Sequence, residues 1–177
     1  AVGTALGNMV GSIARNRKNA DIDTIDRLNG QATLIRLGLE ECIKKDAEVF
    51  LPLSNAYSMP AETEEQKREK AAVLEECLFA AAMVPVEIAK LAVQGIMLTH
   101  EYYKICPPLL LSDIGCSAAI LEGAVKAATL NVYVNTRLMK DREKADMLNA
   151  TISDMEKRAV TVARKLHKAV KESLTTI

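Results

Sequence analysis

Four polar side chains of this 177-residue chain sit where they could do chemistry: Asp46, Asp113, Asn131 and Asn135. Asp46 falls on a helical stripe of apolar or small residues, Leu28, Ala32, Ile35, Leu39, Cys42, Val49 and Leu53, where the next apolar residue should be. A carboxylate on a buried stripe must be paired, hydrogen-bonded or lining a cavity, because leaving it bare in an apolar medium is very costly. An ion pair with a lysine or arginine and a catalytic role both meet that demand. Asp113 follows Ser112 near the start of "LLLSDIGCSAAILEGAVKAATLNVYVN", residues 109–135, where capping and the helix dipole favour it. Asn131 and Asn135 stand one turn apart near the other end of that segment, and helix-interior asparagine is disfavoured, so each needs a reason; a hydrogen bond between helices is one. Asp113 and Asn131 are eighteen residues apart, five turns, so they share a helix face but stand ~27 Å apart along its axis. Within one chain they cannot touch the same reacting atom. They serve different parts of a large ligand, or different sites, or meet through a symmetry-related subunit.

The elements that must position these groups are helices. Val2, Leu6, Val10 and Ile13 make one short stripe, and Gly3, Gly7 and Gly11 run at i+4 on a neighbouring face. Glycine costs about 1 kcal/mol against alanine inside a helix, so three at this spacing imply another backbone packed close. A long helix is predicted from Asp21, ending or kinking at Pro52, with "NAYSMPAETEEQ" as the following loop and Thr63 with Gln66 as a capping box for the next helix. That helix carries Val73, Cys77, Ala80 or Ala81, and Val84; at Pro85 either a kink or a pair of abutting helices fits before "VEIAKLAVQGIMLTHEYY" resumes the period. "CPPLLLSD" is the second break, with Ser112 or Asp113 as N-cap of the quoted segment, and the last helix runs from about Asp141 into the 170s. No strand pattern or repeat is evident. The expected fold is all-α, an antiparallel bundle of about five or six long helices in a single domain, residues 1–177.

Composition narrows the function classes. Twenty-three basic and 23 acidic residues give zero formal charge, hence no global pull toward nucleic acid or anionic lipid. Aromatics are 3% and Trp is absent, which argues against base-stacking surfaces. The apolar runs are broken by charge or proline short of the ~20 residues of a bilayer span, and no signal peptide pattern opens the chain, so a cytoplasmic setting is expected. Cys42, Cys77, Cys106 and Cys116 form no C-x-x-C pair, and His100 and His167 have no second ligand at i+4. Reduced structural thiols and no bound metal are the expectation.

The motifs "DAEVF" (46–50), "PAETEEQKREK" (60–70), "VPVEIAKLA" (84–92), "SDIGCSAAILEGA" (112–124) and "LNVYVN" (130–135) come in an order and spacing that resembles the formiminotransferase-cyclodeaminase C-terminal family over nearly the whole chain. That family includes formimidoyltetrahydrofolate cyclodeaminases and methenyltetrahydrofolate cyclohydrolases. The resemblance implies a homodimer-forming helical domain that acts on a one-carbon folate and needs no cofactor or metal. It also implies a glycine-rich P-G-G-G-S-type segment before the helix that here starts "AVGTALGNMVG", and this sequence lacks it. Where relatives read T-Y-G-R-R or T-x-G-K-K, residues 14–18 are Ala14, Arg15, Asn16, Arg17 and Lys18; the two basic positions survive while the threonine and glycine do not.

The implied chemistry has a physical form. In cyclodeamination, N10 of a 5-formimino-tetrahydrofolate attacks the amidine carbon, ammonia leaves, and a 5,10-methenyl bridge remains. In the cyclohydrolase reaction, water adds to the cationic methenyl carbon and the ring opens to 10-formyl-tetrahydrofolate. Both need a group that moves protons and both pass through positively charged carbon that a carboxylate stabilises. That work is expected of Asp46, by its place on an apolar stripe, or of Asp113, in the S-D motif; Asn131 and Asn135, each offering donor and acceptor, are expected to recognise the pterin or an amide, and Ser112 to bind substrate. Arg17 and Lys18, or Arg137 and Lys140, are candidates for the anionic glutamate tail. Two other classes stay open: a non-catalytic helical interaction protein on the same scaffold, and a bundle that binds another small anion.

Overall fold

The computed structural model describes residues 1–176 and contains five α-helices: α1 (Val2–Ala14), α2 (Ile22–Tyr57), α3 (Glu64–Ile105), α4 (Leu111–Thr136) and α5 (Arg142–Thr175). A single 3-10 turn, Pro108–Leu110, precedes α4. The all-α expectation holds, and three starts were legible as sequence. Asp21 caps α2 by accepting from the Thr24 amide at 3.1 Å, and Asp141 caps α5 by accepting from the Lys144 amide at 3.1 Å. Thr63 and Gln66 form the full capping box of α3, which satisfies two otherwise orphaned amides at once.

Other boundaries differ from expectation. Pro52 neither ends nor splits α2, which runs on to Tyr57, so the loop is shorter than residues 55–66. Pro52 and Glu48, whose carbonyl loses its helical donor, are both exposed, so the lost bond falls on a solvent-facing side where it costs little. Pro85 likewise lies inside one uninterrupted helix. Neither Ser112 nor Asp113 is the N-cap of α4; Leu110 holds that position without a side-chain bond. The two prolines nucleate a 3-10 turn in which the Leu110 amide donates to Pro107 at 2.9 Å, so α4 starts earlier than a side-chain cap would require.

Helices α2 to α5 run alternately up and down. Leu53 clusters with Leu78 while Gly38 faces Leu91, Thr99 meets Ser117 while Leu78 clusters with Met139, and Gly115 faces Val170 while Thr136 bonds Asn149. Helix α1 lies on top, parallel to α3, in the trough between α2 and α4. Those two helices pack on α1 and α3 but scarcely on each other.

The buried face of α1 is the glycine face: Gly3, Thr4, Gly7, Val10, Gly11 and Ala14. The apolar stripe read from the sequence points partly outward, with Val2 65% and Ile13 44% exposed. A Cβ on Gly3 would lie 2.7 Å from Leu121 Cγ, and one on Gly11 2.5 Å from Tyr102 Cε1, so bare backbone is what lets α1 sit so low. One flank of α4 is also bare. The stretch Pro108–Thr136 is long and apolar enough to cross a membrane, contrary to the expectation that every apolar run falls short, and 33% of its most apolar window is buried in the fold. Cys116 on that flank is exposed rather than a core thiol.

Candidate functional site

The site begins with how far α1 reaches. At its C-terminal end Gly11 packs against Tyr102 and Asn29; at its start Gly3 packs against Leu121 and the Ser117 backbone. The Ser117 hydroxyl bonds Thr99 Oγ1 at 2.9 Å and the Gly3 carbonyl at 2.7 Å. Tyr102 donates to Asn29 Oδ1 at 2.8 Å, and burial pushes its phenol up to about 12. These contacts pin α1 in the upper half of the trough only.

The wall residues recur every seven positions, two helical turns, which carries the trough on below α1. On α4, Ser117 and Leu121 are followed by Ala124 and Ala128 and then by Asn131 and Asn135. On α3, Tyr102, Gly95, Ile88 and Ala81 form the floor, and on α2, Asn29 and Arg36 are followed by Ile43 and Phe50, with Asp46 between them. The outer wall of this lower half is open among the described residues, Ile43 being 70% and Phe50 66% exposed, while Ala81 and Ala128 deeper in it are buried. Thr4 Oγ1, at the head of the open half beside Gly95, is fully buried and without a hydrogen-bond partner.

Asp46 is therefore on the stripe that sequence periodicity gives it, but it is exposed and has no ion-pair partner among the described residues. The expectation of a buried carboxylate is corrected, because at this level α2 turns Ile43, Asp46 and Phe50 outward with no described residue packed over them. Asn131 is exposed and Asn135 half-buried. Each spends one amide hydrogen on its own helix, Asn131 donating to the Ala127 carbonyl at 2.9 Å and Asn135 to the Asn131 carbonyl at 3.0 Å. Their Oδ1 acceptors and remaining N–H groups stay open to the trough, and they do not bridge two helices.

The other candidates gather at the opposite end of α4. Arg17 and Lys18, in the α1–α2 connection, line a cleft of about 440 Å³ with Ala14, Asp21, Ile25 and Ile105. Asp113, half-buried in the first turn of α4, is close enough to Cys106 that, after burial, it is the next cause pushing that thiol up to about 11, with Arg17 acting in the opposite sense. Ser112 is exposed beside it. Arg137 follows α4 at the far end, and Lys140 lines a cleft of about 310 Å³ with Lys67, Lys70 and Glu75. Sequence reading missed Lys67 and Lys70, which only the short α2–α3 turn brings to Lys140. It also missed the Asn29–Tyr102 and Thr99–Ser117 pairs, whose one signal was polar groups inside apolar helices.

One protomer thus holds two separate sets: a lower trough with Asp46, Asn131 and Asn135, and an upper cleft lined by Arg17 and Lys18, with Asp113 near the same end of α4, beside Cys106. The family model described as Formiminotransferase-cyclodeaminase matches residues 1–154. The chain belongs to this family. Within the formiminotransferase-cyclodeaminase family it is 26% identical to a methenyltetrahydrofolate cyclohydrolase of Methylorubrum extorquens, over 98% of this chain and 85% of that protein. It is 30% identical to a formimidoyltransferase-cyclodeaminase of Mus musculus, over 92% of this chain but 30% of the mouse protein. Its fold is that of a formiminotetrahydrofolate cyclodeaminase from Thermotoga maritima, with a TM-score of 0.84 at 20% identity, covering 98% of this chain and 85% of that one.

Proposed function

We propose that the protein is a homodimeric one-carbon folate enzyme, a methenyltetrahydrofolate cyclohydrolase or a formimidoyltetrahydrofolate cyclodeaminase. The observation that carries this reading is the open lower trough, an apolar floor with a carboxylate on one wall and two asparagine amides on the other. A flat, partly apolar pterin needs such a floor, its ring nitrogens need donors and acceptors, and its cationic carbon needs a nearby anion. Asp46 or Asp113 moves the proton and stabilises the cation, Asn131 and Asn135 hold the pterin or its amide, and Arg17, Lys18 and Ser112 take the glutamate tail. The relative matched over most of its own length is named a cyclohydrolase, so hydrolysis is the reaction to test first.

The decisive measurement is the absorbance decay of 5,10-methenyl-tetrahydrofolate with protein against the buffer-catalysed rate, with ammonia release from the 5-formimino compound as the parallel assay. Asp46→Asn and Asp113→Asn are each expected to lower turnover, at least one of them by about 10²-fold or more; unchanged turnover in both removes the carboxylates from the mechanism. Arg17→Glu with Lys18→Glu is expected to raise KM for polyglutamylated substrate more than for the monoglutamate. An equal effect on both substrates would reject the tail assignment.

A further inference from the structure

Helices α2 and α5 both pack on α3 but scarcely on each other. A furrow therefore runs along the side of α3 that is turned away from α1, since Met97 stands ~200° around that helix from Gly95. Three clefts of about 500, 380 and 390 Å³ make up the furrow, and Met97 borders all three. The first lies toward Leu34 of α2; the other two run end to end between α3 and α5 and share Val162. Their floor is apolar, with Val93, Ile96 and Met97 from α3 and Ala159, Val162 and Leu166 from α5. Leu34 is 71% and Met97 51% exposed. A methionine at the centre of an open groove is the side chain that best moulds itself to an incoming surface.

The charges along the furrow are lopsided. On the α2 side, Glu101 is already held by Lys104 at 2.7 Å, and on the α5 side Arg158 faces Asp154 at 3.8 Å. Lys157 and Lys165 line the α5 rim and have no ion-pair partner among the described residues. They stand eight residues apart on α5, ~12 Å. His100 shares the second of these clefts with Lys165. What fills the furrow must therefore bring apolar side chains to its floor and negative charge to one edge.

We propose that the furrow docks an acidic amphipathic helix of another protein, laid along α3 and α5 with its apolar stripe on the Met97 floor and its carboxylates toward α5. A helix is ~10 Å across and enters a groove between two helices, whereas a membrane surface is flat and would rest on the rims. From Val93 to Tyr103 the floor follows ten residues of α3, ~15 Å or three turns. That length takes apolar anchors at i, i+4 and i+7. Two carboxylates at i and i+7 on one flank, ~10.5 Å apart, then reach Lys157 and Lys165.

This docking is independent of the folate reading, since none of its residues belongs to the trough or to the upper cleft. The probe is a fluorescein-labelled helical peptide of about five turns, with leucines at i, i+4, i+7 and i+11 and glutamates on one flank of that stripe, titrated with the full chain by fluorescence anisotropy. It is expected to bind at least ~10-fold tighter than a shuffled isomer of the same composition and than a counterpart with lysine in place of glutamate. Lys157→Glu with Lys165→Glu is expected to reverse the preference, so that the lysine peptide binds the tighter; this gain also shows that the variant is folded. Met97→Asp, at an exposed position, is expected to weaken the glutamate peptide by ~10-fold or more. No binding of the glutamate peptide, equal binding of its shuffled isomer, or a preference unmoved by the charge reversal overturns the proposal. So does a fall in the assembled mass on Met97→Asp, because the furrow would then belong to a second copy of this chain.

Discussion

At the scale of single residues, the trough depends on polar groups that are either tightly paired or left open. The unpaired Thr4 hydroxyl is a local defect in the folded protein, and burying a polar group without a partner costs about 1–3 kcal/mol. Thr4→Val is expected to raise unfolding free energy by about 1 kcal/mol, read by urea denaturation; a loss of stability would show that the hydroxyl is paired. Tyr102 acts in the opposite sense. Its ordinary value near 10.0 is raised to about 12 by burial, so between those values the folded state keeps a proton that the unfolded chain releases. The associated stability is present below pH 10 and falls by about 2–3 kcal/mol as pH rises through 12. Tyr102→Phe should flatten this alkaline slope in pH-dependent denaturation; an unchanged slope would place the titration elsewhere. Asp46 shows where sequence reading stopped. Its phase on the helix was legible from the i+3/i+4 pattern, but its exposure depends on what packs over it, which periodicity does not encode.

At the scale of elements, glycine has two opposite meanings here. Gly11 has no room for a side chain, a Cβ lying 2.3 Å from Asn29 Oδ1, whereas a Cβ on Gly30 would meet nothing within 4 Å. Gly11→Ala is expected to destabilise by about 1–3 kcal/mol through overpacking, and Gly30→Ala to stabilise by about 0.5–1 kcal/mol through helix propensity. Thermal unfolding of the two variants checks both signs; equal shifts would mean that α1 is not seated on Tyr102. The close approach of α1 was legible in the i+4 glycine spacing alone. The prolines misled for a physical reason: Pro52 sits on a wet face, where losing one backbone bond is cheap, and composition does not say which face is wet. The start of α5 was legible from Asp141, but its clasp was not. Glu75 accepts from the Lys140 amide at 2.6 Å and the Asp141 amide at 3.1 Å, a contact set by how far α3 overhangs the end of α4.

At the scale of the whole molecule, helix count, order and alternating direction followed from apolar spacing and short connections, because each long helix can bury its stripe only against its chain neighbours. The exposure of the lower trough did not follow, since it depends on how α2, α3 and α4 overlap in space rather than on their apolar period. The seating of α1 has a dynamic consequence. Helix α1 is held mostly by glycine backbone, with Val10 the one large aliphatic side chain among its buried residues, while α3 and α4 are locked by the main core. Elements with few apolar anchors open at lower free energy than the rest of a fold. Amides of α1 should therefore exchange with deuterium well ahead of those in α3 and α4, and a bound ligand spanning the trough should slow them; uniform exchange across the three would contradict this. A helix so lightly anchored works as a stopper in the upper trough, and the free energy of its withdrawal sets how large a guest the bundle can admit there.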